Sequence, residues 1–161
     1  MIPKYRAWDR EFKEMVQVNA LVFDERVIKA TYKNGNVVKE DLKNYELMQS
    51  TGLLDKNGQE IFAGDIVEFE DEVWYTDGGF YENKDEAYDS VQTNNRVVII
   101  YDGFEWDLDN FWKGTNDCSS AWMSIFEDHM QSFKYFLQNE ASVIGNIYEN
   151  PELLEANNDR D

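Results

Sequence analysis

The sequence alternates short extended runs with turn-forming pairs, and that rhythm leaves room for little besides antiparallel β structure. Asn34-Gly35 sits in KNGN, between the runs RVIKATY and VVKEDL. Asn-Gly between such runs is a strong hairpin signal, because both residues tolerate the positive φ of a tight turn. The stretch DKNG, Asp55 to Gly58, fits a type I turn. Asp at the first position can accept a backbone hydrogen bond, and Gly at the fourth can enter the left-handed region and form a bulge. Leu53-Leu54 is therefore expected to pair with the run around Ile61-Phe62. Gly64-Asp65 makes a further turn, after which Ile66, Glu68 and Glu70 alternate with Val67, Phe69 and Asp71.

Other segments read the same way. KYRAW places Tyr5 and Ala7 on one side and Arg6 and Trp8 on the other, DREFK is a polar turn, and EMVQVNALVF and YELMQST are extended. The segment from Glu70 to Asn95 is acidic and aromatic, with Asp77-Gly78-Gly79 as a turn, and reads as a long hairpin or an exposed loop. RVVIIY is apolar enough to be a central strand. Helical spacing appears once: Trp122, Phe126, Met130, Phe133 and Leu137 share one face of a helix at about 119–138. Its apolar residues exceed one stripe, which suits deep burial or a homo-oligomer contact. A strand from Ser142 to Tyr148, a turn at Asn150-Pro151 and a short helical tail follow. The expected fold is mainly β with one late helix, built as two interlocked small β units.

Charge divides the 161 residues unevenly. Residues 1–67 hold 11 acids and 10 bases, whereas residues 68–161 hold 22 acids and 5 bases, for a net charge of −18 overall. The shift suggests a near-neutral β subdomain over 1–67, an acidic one over 68–150 and a tail over 151–161 that share one core. A surface so negative repels phosphate and disfavours direct nucleic-acid binding. No stretch has the length and apolarity of a membrane span, and MIPKYRAWDR lacks an apolar signal core. With a single cysteine, Cys118, the composition fits a soluble cytoplasmic protein.

Residues able to do chemistry are few. His129 and Cys118 are the only His and Cys, about three helical turns apart if Cys118 lies in the loop before the helix, which is poor geometry for a nucleophile–base pair. Two such ligands do not make a zinc site without two carboxylates. Asp102, Glu105, Asp107 and Asp109 can gather round a hard cation, and on a strand the last three share a face, but the Gly and terminal Glu of an EF-hand loop are missing. Asp85, Glu86 and Asp89 form a second acidic group, suited to a basic protein partner. Lys4, Arg6, Arg10 and Lys13 make a small basic patch among many acids. Neither a Walker pattern nor GxGxxG occurs, and no cofactor is implied.

Three blocks, MIPKYRAWD, LMQSTGLLDKNGQEIFAGDIVEF and VIGNIYENPELLE, resemble in order and spacing the YopX family of phage- and prophage-encoded proteins. The resemblance spans residues 1–155 and implies a mainly β fold with barrel-like character in a host cytoplasm. It transfers no catalytic residue. Within these blocks Asp65, Asn146 and Glu149 have the weakest local structural explanation, although a strand through Tyr148 puts Asn146 and Glu149 on opposite faces.

The expectation is a non-enzymatic accessory protein that contacts a host or phage protein through an acidic surface at Asp85, Glu86 and Asp89. Two alternatives stand beside it. One is a metal-dependent enzyme using Asp102, Glu105, Asp107 and Asp109. The other is an acidic DNA mimic that inhibits a host nucleic-acid-binding protein.

Overall fold

A computed structural model describes residues 3–76, 79–80, 89–101, 106–109 and 130–155. Its first sheet has six antiparallel strands in the order β4-β3-β2-β1-β5-β6. These are β1 (Tyr5–Asp9), β2 (Glu14–Val22), β3 (Val27–Thr31), β4 (Val37–Asp41), β5 (Tyr45–Leu54) and β6 (Glu60–Phe62). The second sheet follows the order β10-β9-β7-β11, with β8 paired to β7. Its strands are β7 (Asp65–Thr76), β8 (Gly79–Phe80), β9 (Asp89–Tyr101), β10 (Trp106–Asp109) and β11 (Ser142–Asn146). Helix α1 (Met130–Asn139) precedes β11, and a single helical turn, α2 (Glu152–Glu155), follows it. The fold is mainly β, as expected, but neither sheet closes into a barrel among the described residues.

Both turn motifs form hairpins, by the same device. Gly35 N–H donates to Tyr32 O at 2.9 Å and Tyr32 N–H to Asn36 O at 2.9 Å, so the loop is Lys33-Asn34-Gly35. Only Gly35 takes a positive φ, 87°, and Asn34 instead accepts the Asn36 N–H at 2.9 Å. Of the Asn-Gly pair expected to supply the positive φ of a tight turn, only the glycine is left-handed, because the Asn34 side chain satisfies the turn without a left-handed backbone of its own. At DKNG the expectation holds: Gly58 N–H donates to Asp55 O at 3.0 Å, and Gly58 has φ 83°. YELMQST and Leu53-Leu54 form one strand, β5, whose pairing with β6 shifts register between Ser50 and Leu54.

The core is in two parts. Ala7, Val16, Ile28, Ala30, Tyr32 and Tyr45 pack within the first sheet. Ile61, Val67, Phe69, Val97, Ile99, Leu108, Phe136, Leu137 and Ala141 form the second cluster, which joins β6 to the second sheet and α1. RVVIIY is central as expected: β9 lies between β10 and β7, and Val97, Val98 and Ile99 are all buried. Phe133, Phe136 and Leu137 turn one face of α1 inward, and Phe136 meets Phe69 edge-on at 4.8 Å. Tyr135 stays exposed. Residues 119–129 of the expected helix, with Trp122, Phe126 and His129, lie outside the described residues, as does Cys118. The charge shift at residue 67 falls inside β7.

Candidate functional site

β1 is covered on both faces, and this creates the polar junction between the sheets. Ala7 points into the first core, while its neighbours face the other way, Arg6 to the start of β7 and Trp8 to Tyr148 beyond β11. The Arg6 guanidinium pairs with Asp65 at the start of β7. It also lies 4.6 Å from the Phe62 ring centroid, and its Nε donates to Met48 Sδ at 3.5 Å. The second Asp65 oxygen accepts the Phe62 N–H at 2.8 Å. The Asp65 side chain is only 1% exposed. Burial pushes its pKa up to about 6, against the Arg6 charge and the Phe62 N–H that favour the carboxylate; Glu149 adds to the rise.

Asn146 sits opposite Asp65 in the β7–β11 ladder and is likewise buried. Its Oδ1 accepts the N–H groups of Tyr148 at 3.1 Å and Glu149 at 3.0 Å, and its Nδ2 donates to Glu149 Oε2 at 2.7 Å. The strand expected to run to Tyr148 therefore stops at Asn146. Asn146 caps the turn that follows, so Asn146 and Glu149 meet instead of facing apart. The turn also stacks Tyr148 on Trp8, with ring centroids 6.1 Å apart, and places Glu149 3.8 Å from Lys33 in the β3–β4 loop. The Gly64 backbone completes the seam: its N–H donates to Ile99 O at 2.7 Å, and its O accepts from Ile147 N–H at 3.0 Å.

Two other buried carboxylates are equally engaged. Asp55 Oδ1 accepts N–H groups from Asn57 and Gln59, both at 2.8 Å, and Oδ2 accepts the Val143 N–H at 2.9 Å, which docks the DKNG turn against β11. Asp9 accepts the Tyr32 hydroxyl and the N–H groups of Glu11 at 2.7 Å and Phe12 at 3.0 Å. Tyr32 and Tyr45 hydroxyls lie 3.0 Å apart, and Tyr45 donates to Glu40 at 2.7 Å. Burial raises the Asp9 pKa, but bonds from Tyr32, Phe12 and Glu11 outweigh it and the net shift is downward. Burial and the Asp9 carboxylate push Tyr32 up to about 12, and burial with the Tyr32 bond raises Tyr45 further. Every buried side-chain N or O among the described residues has a partner. These carboxylates hold strands together and turn no free oxygen toward a substrate.

The other residues singled out by sequence are dispersed. Asp85, Glu86, Asp102 and Glu105 lie outside the described residues. Asp89 opens β9 opposite Tyr75 in register. Asp107 and Asp109 occupy alternate positions of β10, opposite Ile100 and Val98. Among the described residues no group of three or more His, Cys, Asp or Glu is placed to hold a metal. Three of the four N-terminal bases are held in internal pairs: Lys4 with Glu60, Arg6 with Asp65 and Arg10 with Glu46. Sequence reading missed Arg6 as the partner of Asp65, since no local signal links residues 59 positions apart. The Asp9–Tyr32–Tyr45–Glu40 chain was missed for the same reason.

The fold is thus a small antiparallel β protein of two sheets, sealed by a buried ion pair and an Asn-capped turn. The YopX protein family model matches residues 4–155, and the chain belongs to that family. Its structure is similar to the crystal structure of protein EF1440 from Enterococcus faecalis, with a TM-score of 0.53 and 27% identity over 96% of this chain and 99% of that one. No curated protein matches the chain in sequence.

Proposed function

We propose that this chain is a non-enzymatic accessory protein, encoded by a phage or prophage, which works in the bacterial cytoplasm by binding another protein through its acidic second part. The observation that carries this reading is the charge division. Residues 1–67 nearly balance their charges, and bases there are spent on internal pairs such as Lys39–Glu25 and Lys43–Asp41. Residues 68–161 have 22 acids and 5 bases, so most of their acids lack a base nearby in sequence. Arg96, one of those five bases, is already held by Glu68 and Leu153 O. Such an excess steers basic partners and repels phosphate. The membership of the YopX family supports the phage setting, and no helix among the described residues is long and apolar enough to cross a membrane.

The test is affinity capture from host lysate with the natural chain, a D85N/E86Q/D89N variant and an equally acidic unrelated protein. A partner retained by the natural chain, weakened by the variant and missing from the control supports the reading. Capture unchanged by the three substitutions sinks the assignment to these residues.

A further inference from the structure

The chain carries two Asn-Gly pairs in nearly identical settings, Lys33-Asn34-Gly35-Asn36 and Lys56-Asn57-Gly58-Gln59. A glycine after asparagine has no side chain to shield its backbone nitrogen, so that nitrogen can attack the asparagine amide carbon. With such similar neighbours the two pairs have nearly equal intrinsic reactivity. Both loops are exposed, so access to water does not separate them. In both the glycine N–H is held inside the turn, Gly35 by Tyr32 O at 2.9 Å and Gly58 by Asp55 O at 3.0 Å. Ring closure therefore waits for the loop to open, and the ease of opening decides the rate.

The fold anchors the loops unequally. The second is bound to β11 and the residue before it. Lys56 N–H donates to Ala141 O at 3.1 Å, Asp55 Oδ2 accepts the Val143 N–H at 2.9 Å, and Asn57 Nδ2 donates to Ser142 Oγ at 3.1 Å. The last bond holds the very nitrogen that must leave. The first loop is tied only through side chains: Lys33 N–H donates to Glu14 Oε1 at 3.1 Å, and Lys33 Nζ lies 3.8 Å from Glu149. Asn34 Oδ1 accepts the Asn36 N–H, and among the described residues no acceptor meets its Nδ2.

We propose that Asn34 is a site of spontaneous deamidation and that its anchors protect Asn57. The Gly35 nitrogen loses its proton and bonds to Asn34 Cγ. The Cγ–Nδ2 bond breaks, Nδ2 takes up a proton, and ammonia leaves a cyclic imide. Water then opens the imide at either carbonyl, giving aspartate or isoaspartate at position 34. Each adds a negative charge beside Lys33. Isoaspartate also lengthens the backbone inside the β3–β4 turn, which Tyr32 N–H closes on Asn36 O and whose Tyr32 hydroxyl holds buried Asp9.

The test incubates the full-length chain at mildly alkaline pH and follows both pairs by peptide mass spectrometry with isoaspartate detection. In the folded chain Asn34 is expected to convert roughly tenfold or more faster than Asn57, and in urea that unfolds the chain the two rates should converge. An Asn34→Gln variant, whose longer side chain disfavours the five-membered imide, should lose the fast signal. Equal rates in the folded chain, or a faster Asn57, overturn the proposal. So does an Asn34 that stays intact when folded while the unfolded chain converts. A rate difference that survives in urea also overturns it, since sequence and not the fold would then be the cause.

Discussion

Asp65 carries a charge that its surroundings oppose. Its folded pKa of about 6 lies above the ordinary 3.8, so the folded state holds the proton more tightly than the unfolded state. The stabilisation from this group is therefore full below about pH 4 and is lost as the pH rises through 6, a change on the order of 3 kcal/mol. Asp65→Asn removes the titration. Urea unfolding of both proteins at pH 4 and pH 7 should show the natural chain losing stability relative to the variant as pH rises; a pH-independent difference would refute the burial account. Tyr32 has the same sign in another window. Its pKa of about 12 against 10.0 means stabilisation present below pH 10 and lost as the pH climbs through 12. Tyr32→Phe deprives buried Asp9 of a donor and should cost about 2 kcal/mol at pH 7, with a shallower alkaline decline in stability. Equal denaturation midpoints at pH 7 would show the bond to be idle.

The DKNG hairpin is an element whose local and distant roles meet in one side chain. Asp55 shapes its own turn through Asn57 and Gln59 and ties that turn to β11 through Val143 N–H. Asp55→Ala orphans these donors at a site only 4% exposed and is expected to cost about 3 kcal/mol. Asp55→Asn keeps one acceptor and should cost less, as read from urea midpoints. β11 shows a similar coupling of turn and strand. Extended pattern alone carried it past Asn146, yet the Asn146 side chain satisfies the next turn and ends the strand. α1 was legible at its described end because Phe133 and Leu137 kept helical spacing, and the core then recruited Phe136 as well.

Across the whole molecule, the surplus of negative charge makes self-repulsion a measurable force. At neutral pH, moderate NaCl should raise the thermal midpoint by screening repulsion among acids, since exposed pairs such as Lys39–Glu25 lose little. A midpoint that falls steadily with salt would mean that ion pairs outweigh the repulsion. The same screening should weaken any complex made through the acidic part, so partner affinity and chain stability are expected to move in opposite directions with ionic strength.

The sequence by itself determined the strands and turns. Steric limits on Gly35 and Gly58, the short reach of Asp and Asn side chains, and the two-residue period of a strand all act within a few positions. It also determined the charge division, which is a property of composition. Only the tertiary structure decided that Arg6 neutralises Asp65, that Asp9 meets Tyr32, and that Asn146 and Glu149 share one turn. The first two depend on which distant strand covers a carboxylate, and burial without that partner would cost more than the fold can offset. The third depends on where β7 stops requiring a neighbour. A strand period read from sequence contains no term for any of them: the Arg6–Asp65 pair crosses the seam between the sheets, the Asp9–Tyr32 bond joins β1 to the chain beyond β3, and the Asn146 cap replaces extended backbone with a turn.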